Sequence, residues 1–312
     1  MLFSIMLYYS QAIAGSLSHT TLYGEIFHVK SVPDAENIAY TSLKICPHQD
    51  LAYYESKPGL QLLHCISGSG QGENGEGEST LIDALAAAYE FRSLAPDMFK
   101  VLTRCPATFV KENENALCMS FTRPHIVLKE GRPLEDTGSG EENEKYLKYL
   151  NNDINREIVA VNWSPPFEGP VSMIPADQIQ NYYKAYGMFE KMLDDSILLK
   201  KVKEREDKMK NNDRVECCQS GCIDNKFSAY ARDFTFEYKL KPGEILVFNN
   251  CRMLHGRRSF SLASDNERHL VGAYTNMEDS LNKYRVLLNH RRDISLSKTQ
   301  WIPNVGNGSI IQ

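Results

Sequence analysis

Apolar residues in this chain gather into short runs, each closed by turn-forming residues, and this punctuation limits what the chain can fold into. Gly59 to Ile66 reads as a short buried strand. Leu117 to Leu128 and Ile158 to Trp163 are strand-like, and the polar stretch between them, rich in Glu, Gly and Lys, belongs on the surface. Phe234, Phe236, Tyr238 and Leu240 alternate with Thr235, Glu237, Lys239 and Lys241, the period of a half-buried strand. A Pro242-Gly243 turn returns the chain into Ile245 to Phe248, and His269 to Thr275 is a further strand. Helical patterns are fewer. Asp83 to Leu94 has Asp83 as its N-cap; Pro175 opens a long helix whose Ile179, Tyr182, Tyr183, Tyr186, Phe189 and Leu193 form one apolar face; Asp279 to Leu288 closes the series. Many short strands with a few flanking helices predict a mainly β core decorated by α elements.

No repeat and no linker divides the chain. One domain over about 20–290 is expected, with a helix or partial domain start in 1–19, an insertion at about 198–232 and a tail at 291–312. Ala12-Ile13-Ala14 superficially suits a secretory cleavage site, but Met1 to Gly15 has no Lys or Arg, so an ordinary helix is expected there. No apolar run approaches the roughly 18 residues that cross a bilayer. A net charge of −5 leaves no broad basic surface to neutralise phosphates, which argues against a nucleic-acid partner. The glycines of Ser67 to Gly77 lack phosphate-binding spacing and a following Lys, and read as a loop. Cys46, Cys65, Cys105, Cys118 and Cys251 sit singly among apolar neighbours, as buried thiols in a reducing, cytoplasmic compartment would. Cys217, Cys218 and Cys222 could supply three thiolates, yet no fourth ligand stands nearby with zinc-site spacing. Lys200 to Lys210 alternates in sign as a solvated helix face does.

The residues that point to chemistry begin with His48-Gln49-Asp50, where an extended backbone puts both metal-competent side chains on one face. Such a tripeptide is a weak signal alone. Two imidazoles and one carboxylate on one face of Fe(II) leave three positions open, so a third ligand is needed, and His255, following a predicted strand, is the best candidate. Arg268, at the start of the next strand, could return beside the metal and pair bidentately with a carboxylate.

The words LYGEIF, NIAYT, HQD, GLQLLHCI, NNCRMLHGRRSF and RHLVGAY occur in the order and spacing of a known family. From about Thr20 to about Leu288 the chain resembles the γ-butyrobetaine and trimethyllysine dioxygenases, within the taurine-dioxygenase-like superfamily. The resemblance implies a distorted double-stranded β-helix, a jelly-roll core. It also implies Fe(II) held by His48, Asp50 and His255, with 2-oxoglutarate as cosubstrate, anchored by Arg268 with help from Thr80, and O₂ as oxidant. Tyr23, Phe27, Tyr40 and Tyr274 fall where the family cages a trimethylammonium group, and Asn37 where it contacts substrate. Phe27 stands in place of the usual tryptophan, and Ser164 in place of an asparagine near the substrate carboxylate. The family's N-terminal zinc-binding domain has no counterpart, leaving a shorter relative or a partial sequence as alternatives. The activity implied is hydroxylation of a small quaternary-ammonium substrate, γ-butyrobetaine to L-carnitine first. Trimethyllysine or another oxygenase substrate is the second choice, a non-catalytic 2-oxoglutarate-binding relative the third, and a homodimer is compatible with all of these.

Overall fold

The computed structural model describes residues 2–14, 21–30, 38–68, 76–113, 117–129, 156–193, 234–260 and 268–295. Asn37, Cys217, Cys218, Cys222, the charged stretch Lys200 to Lys210, the insertion at about 198–232 and most of the glycine loop lie outside the described residues. In chain order the elements are α1 (Leu2–Ala14), β1 (Ile26–Lys30), β2 (Ile45–His48), β3 (Leu60–Ser67) and β4 (Ser79–Asp83). Then come α2 (Ala84–Leu94), α3 (Pro96–Arg104), β5 (Pro106–Asn113), β6 (Leu117–Pro124), β7 (Ile126–Leu128), β8 (Ile158–Val161) and α4 (Ile179–Leu193). The last are β9 (Thr235–Tyr238), β10 (Ile245–Asn249), β11 (Met253–Arg257), β12 (His269–Thr275) and α5 (Met277–Ser295).

Two four-stranded antiparallel sheets form the core, in the orders β1-β12-β3-β10 and β2-β11-β4-β9. Successive core strands change sheet at every step except β4 to β9, which are neighbours in the second. This is the connectivity of a jelly roll, the double-stranded β-helix. Both sheets are covered on their outer faces. Met6 of α1 packs on Leu62, Val271 and Ala273 of the first sheet. Ile82 and Leu254 of the second sheet pack into a core shared with α2, α3, α4 and Trp163. Burial on both sides is why Gly59 to Ile66 is nearly all apolar instead of alternating.

Several expectations change in detail. The Asp83 cap is as expected, its side chain accepting from the Ala86 amide at 3.0 Å. Pro175 opens a 3-10 turn, Ala176–Gln178, before α4 begins. Tyr183 is 56% exposed, because it lies about 100° around the helix from buried Tyr182 and falls off the packed face. β9 forms, but its alternation is the reverse of the one expected: Phe236 and Tyr238 are 55% and 37% exposed at the sheet edge, while Thr235 and Glu237 are half-buried, Glu237 paired with Arg258. Cys65 and Cys105 are buried thiols, whereas Cys46 and Cys118 occupy exposed positions of β2 and β6. Among the described residues no helix is long and apolar enough to cross a membrane.

β11 runs between β2 and β4, and its one glycine, Gly256, allows that close approach. A Cβ on Gly256 would lie 2.6 Å from the Ile45 carbonyl oxygen. Gly256→Ala must push β2 outward, with an expected cost of roughly 1–3 kcal/mol. The check is a lower denaturation midpoint at unchanged slope; a midpoint equal to the parent's would show that the two strands separate freely.

Candidate metal centre and its cavity

His48 ends β2, Asp50 follows in the turn, and His255 lies opposite His48 in the β2–β11 register. His255 follows β10, as expected, and lies inside a further strand of its own. The two imidazole rings are 4.4 Å apart between centroids. His48 Nε2 is 3.3 Å from Asp50 Oδ1 and His255 Nε2 is 3.6 Å from Asp50 Oδ2. One ligand atom from each residue lies within 4.8 Å of the others. His48 Nδ1 donates to the Cys46 carbonyl at 2.9 Å, a bond that assigns the proton to Nδ1 and turns the Nε2 lone pair toward the group. Two neutral imidazoles and one carboxylate, with no thiolate, suit Fe(II) in a facial arrangement with open positions.

The turn carrying Asp50 is fastened from several sides. Asn250 accepts from the Asp50 amide at 3.1 Å and donates to the Asp50 carbonyl at 3.0 Å. Gln49 donates its amide to the Trp163 carbonyl at 2.8 Å, while its carbonyl accepts from Ser164 Oγ at 2.8 Å. Buried Lys57 donates to Gln49 Oε1 at 3.1 Å, Val161 O at 3.1 Å and Asn162 Oδ1 at 2.7 Å. With neutral acceptors only, burial lowers that ammonium to about 8. Leu51, next to the ligand, adopts φ of 58°, a left-handed conformation costly for a side chain with a Cβ. Its burial at 2% exposure holds it there.

A cavity of about 130 Å³ opens beside the three ligands. Tyr23, Phe27, Tyr40 and Tyr274 line it, joined by Phe167. Phe27 stacks on Tyr274 at 4.8 Å and lies directly over Gly272, its cross-strand partner, where a Cβ would meet the ring. Arg268 lines the cavity, accompanied by Arg257. Neither has a carboxylate partner among the described residues. Burial lowers Arg268 to about 10; burial, then the charge of Arg268, lowers Arg257 to about 9. Two desolvated guanidiniums lining one cavity call for an anion.

Two expected residues fall elsewhere. Thr80 is opposite Gly256, so it shares the outer face of β4 with Ile82, and Ser79 lines the cavity instead. Ser164 is fully buried with its hydroxyl given to Gln49, and it buttresses the ligand turn without lining the cavity. Tyr274 does more than the cage expectation, since its hydroxyl donates to Asp50 Oδ2 at 2.7 Å. Two contributors are not evident from motif spacing. Gln61 donates to Asp50 Oδ2 at 2.8 Å, and its only sequence signal is a polar residue inside an apolar strand. Arg257 binds the carbonyls of Thr41 at 2.6 Å and Leu43 at 2.7 Å, tying the segment of Tyr40 to β11; its signal is a second basic residue two positions after His255.

Protonation follows from these contacts. Burial opposes charge on all three ligands. At Asp50 it is outweighed by the His255 and His48 imidazoles and the Tyr274 hydroxyl, which hold the carboxyl far below its usual range. At His48 it is outweighed by the Asp50 hydrogen bond and charge, raising the pKa above 6.5. At His255 burial wins, lowering the pKa to about 4. Below the raised His48 pKa a metal ion must therefore displace one proton, from His48. Affinity is expected to be flat above the raised His48 value and to fall about tenfold per pH unit below it. Metal titrations down to about pH 5 check this; release of two protons per ion would show His255 charged as well.

The model of the taurine catabolism dioxygenase TauD, TfdA family matches residues 9–196 and 225–274. Relatives include γ-butyrobetaine dioxygenase of Homo sapiens, 24% identical over 269 residues, covering 86% of this chain and 54% of that protein. The γ-butyrobetaine dioxygenase of Pseudomonas sp. (strain AK-1) is 28% identical, covering 85% and 52%. The mitochondrial trimethyllysine dioxygenase of Bos taurus is 25% identical, covering 87% and 49%. The chain spans about half the length of the curated relatives it matches. A solved non-heme iron oxygenase, OrfP, in complex with Fe and alpha-ketoglutaric acid, superposes with a TM-score of 0.49 at 13% identity, covering 88% of this chain and 64% of that one. With a family model matched over most of its length and His48, Asp50 and His255 gathered at one cavity, the chain belongs to the TauD, TfdA family of dioxygenases.

Proposed function

We propose that the chain is an Fe(II)- and 2-oxoglutarate-dependent hydroxylase of a small trimethylammonium compound, γ-butyrobetaine first, with residues 20–290 as its dioxygenase domain. One observation carries this: a histidine–carboxylate–histidine cluster and two guanidiniums without carboxylate partners share one cavity with an aromatic wall. His48, Asp50 and His255 would hold the ferrous ion. Arg268, with Ser79 beside it, would take the far carboxylate of 2-oxoglutarate, where the planar guanidinium offers two parallel donors. When bound, the ion and the keto acid supply O₂ activation coupled to loss of CO₂, leaving succinate.

The protein's own contribution is placement. A quaternary ammonium cannot donate a hydrogen bond, and the faces of Tyr23, Phe27, Tyr40, Phe167 and Tyr274 offer it attraction of about 0.5–2 kcal/mol per well-placed ring. Held there, the substrate presents a C–H bond toward the ligand cluster and excludes water from it. The names of the curated relatives support this choice of substrate, with trimethyllysine as the second.

The test is succinate release by purified protein with Fe(II), 2-oxoglutarate and a panel of γ-butyrobetaine, trimethyllysine and their dimethylamino analogues. Turnover is expected with a trimethylammonium compound and at least tenfold less with its dimethylamino analogue, whose protonated nitrogen keeps its charge but must bury an N–H that ring faces cannot satisfy, a cost of about 1.4 kcal/mol or more. Turnover of none of them would remove the substrate assignment. Tight 2-oxoglutarate binding without any decarboxylation would favour the non-catalytic alternative.

A further inference from the structure

The carboxylate of Asp50 offers two oxygens and about four lone-pair positions. Oδ2 already accepts two hydrogen bonds, from Gln61 Nε2 at 2.8 Å and Tyr274 Oη at 2.7 Å. Oδ2 also lies 3.6 Å from His255 Nε2, while Oδ1, with neither donor on it, faces His48 Nε2 at the shorter distance of 3.3 Å. The two donors form one unit, because Gln61 of β3 and Tyr274 of β12 are directly opposite each other in the antiparallel register. They are 1% and 2% exposed, so bulk water does not compete for their protons. Gln61 is also an odd choice for its place. It interrupts the apolar run of β3, and its Oε1 is buried without a partner while its Nε2 serves Asp50. An apolar residue would fill that strand position at lower cost, so the amide is explained by the carboxylate it holds.

We propose that Gln61 and Tyr274 are a pair of positioning residues that occupy Asp50 Oδ2 and so restrict Asp50 to binding the metal through Oδ1 alone. The inference rests on the metal reading given above and adds how the site keeps its open positions. Two imidazoles and a one-oxygen carboxylate leave three of six positions on an octahedral ion. A carboxylate bound through both oxygens would take one of those three, and a chelating keto acid would then compete with the protein's own ligand. Because the pair lies on two adjacent strands of the first sheet, while His48 and His255 lie on the second, each sheet fixes a different part of the centre.

Co(II) is the probe, added to metal-free protein and followed through its d–d absorption, with 2-oxoglutarate titrated afterwards. Tyr274→Phe keeps every ring contact and Gln61→Met keeps the length of the side chain, so each removes one donor with little change in packing. Thermal melts identify any variant that does not fold, and the remaining single variant then decides. The expected result for each is Co(II) binding weakened about 10–100-fold, a changed band intensity as Oδ2 enters the coordination sphere, and weaker binding of 2-oxoglutarate. Folded variants with parental affinity and an unaltered band would overturn the pairing. Weaker binding with an unaltered band would mean that the pair only stiffens the turn, and would overturn the one-oxygen assignment. If the parent protein itself fails to bind Co(II), the metal reading is what falls, an outcome separate from both.

Discussion

Asp50→Asn is expected to lower turnover at least a hundredfold, and to weaken divalent-metal binding by a similar factor. The substitution keeps the shape of the side chain and can keep one acceptor for Gln61 and Tyr274, so the fold around it survives. What it removes is the sole anion of a partly buried cluster that otherwise offers only two imidazoles. Losing one partner of a desolvated charge pair costs roughly 3–5 kcal/mol, and at about 1.4 kcal/mol per decade that is two to nearly four orders of magnitude. The same change should let the His48 pKa fall, since the Asp50 hydrogen bond and charge are what raise it against burial. Metal titration together with NMR titration of His48 tests both. A variant that retained metal affinity within tenfold would show that Asp50 is a structural carboxylate.

The second large effect is expected at Arg268. Arg268→Met should raise the KM for 2-oxoglutarate roughly a hundredfold to a thousandfold, the cost of about 3–4 kcal/mol for an unpaired buried carboxylate. Turnover at saturating cosubstrate should fall less, because the anchor acts on binding more than on the reacting atoms. Arg268→Lys should recover only part of the loss, a point charge replacing two parallel donors. The empty variant should not be less stable than the parent. Arg268 is desolvated, has no carboxylate partner among the described residues, and repels the neighbouring guanidinium of Arg257. Unchanged 2-oxoglutarate affinity in Arg268→Met would move the anchor to Arg257.

Legibility differed by the range of the interaction. Strands β3 and β12 and helix α2 are readable because short apolar runs, a Pro-Gly turn and an Asp cap act locally. Helix α3 carried a readable signal too, Pro96 at its first turn with Phe99 and Leu102 buried three residues apart, but it is short and its apolar stripe narrow. The choice between Ser79 and Thr80 turns on a one-residue phase. That phase is set by the pairing of β4 with β11, which no local pattern contains. Ser164 is a similar case, since its hydroxyl is claimed by Gln49, a residue 115 positions away.

The sequence by itself determined which groups were available: the HQD tripeptide, His255 and the arginine before β12 are fixed by residue type and spacing, and chemistry restricts what such a set can hold. It determined the layered β architecture as well, because strand period and turn residues are properties of neighbours in the chain. Only the tertiary structure decided that Gln61 and Tyr274 meet on one oxygen of Asp50, that Arg257 shares a cavity with Arg268, and that Ser79 faces inward. Those outcomes depend on strand register and on which side chains burial leaves facing each other. Register is settled by the collective packing of two sheets, so it cannot be read from any single segment.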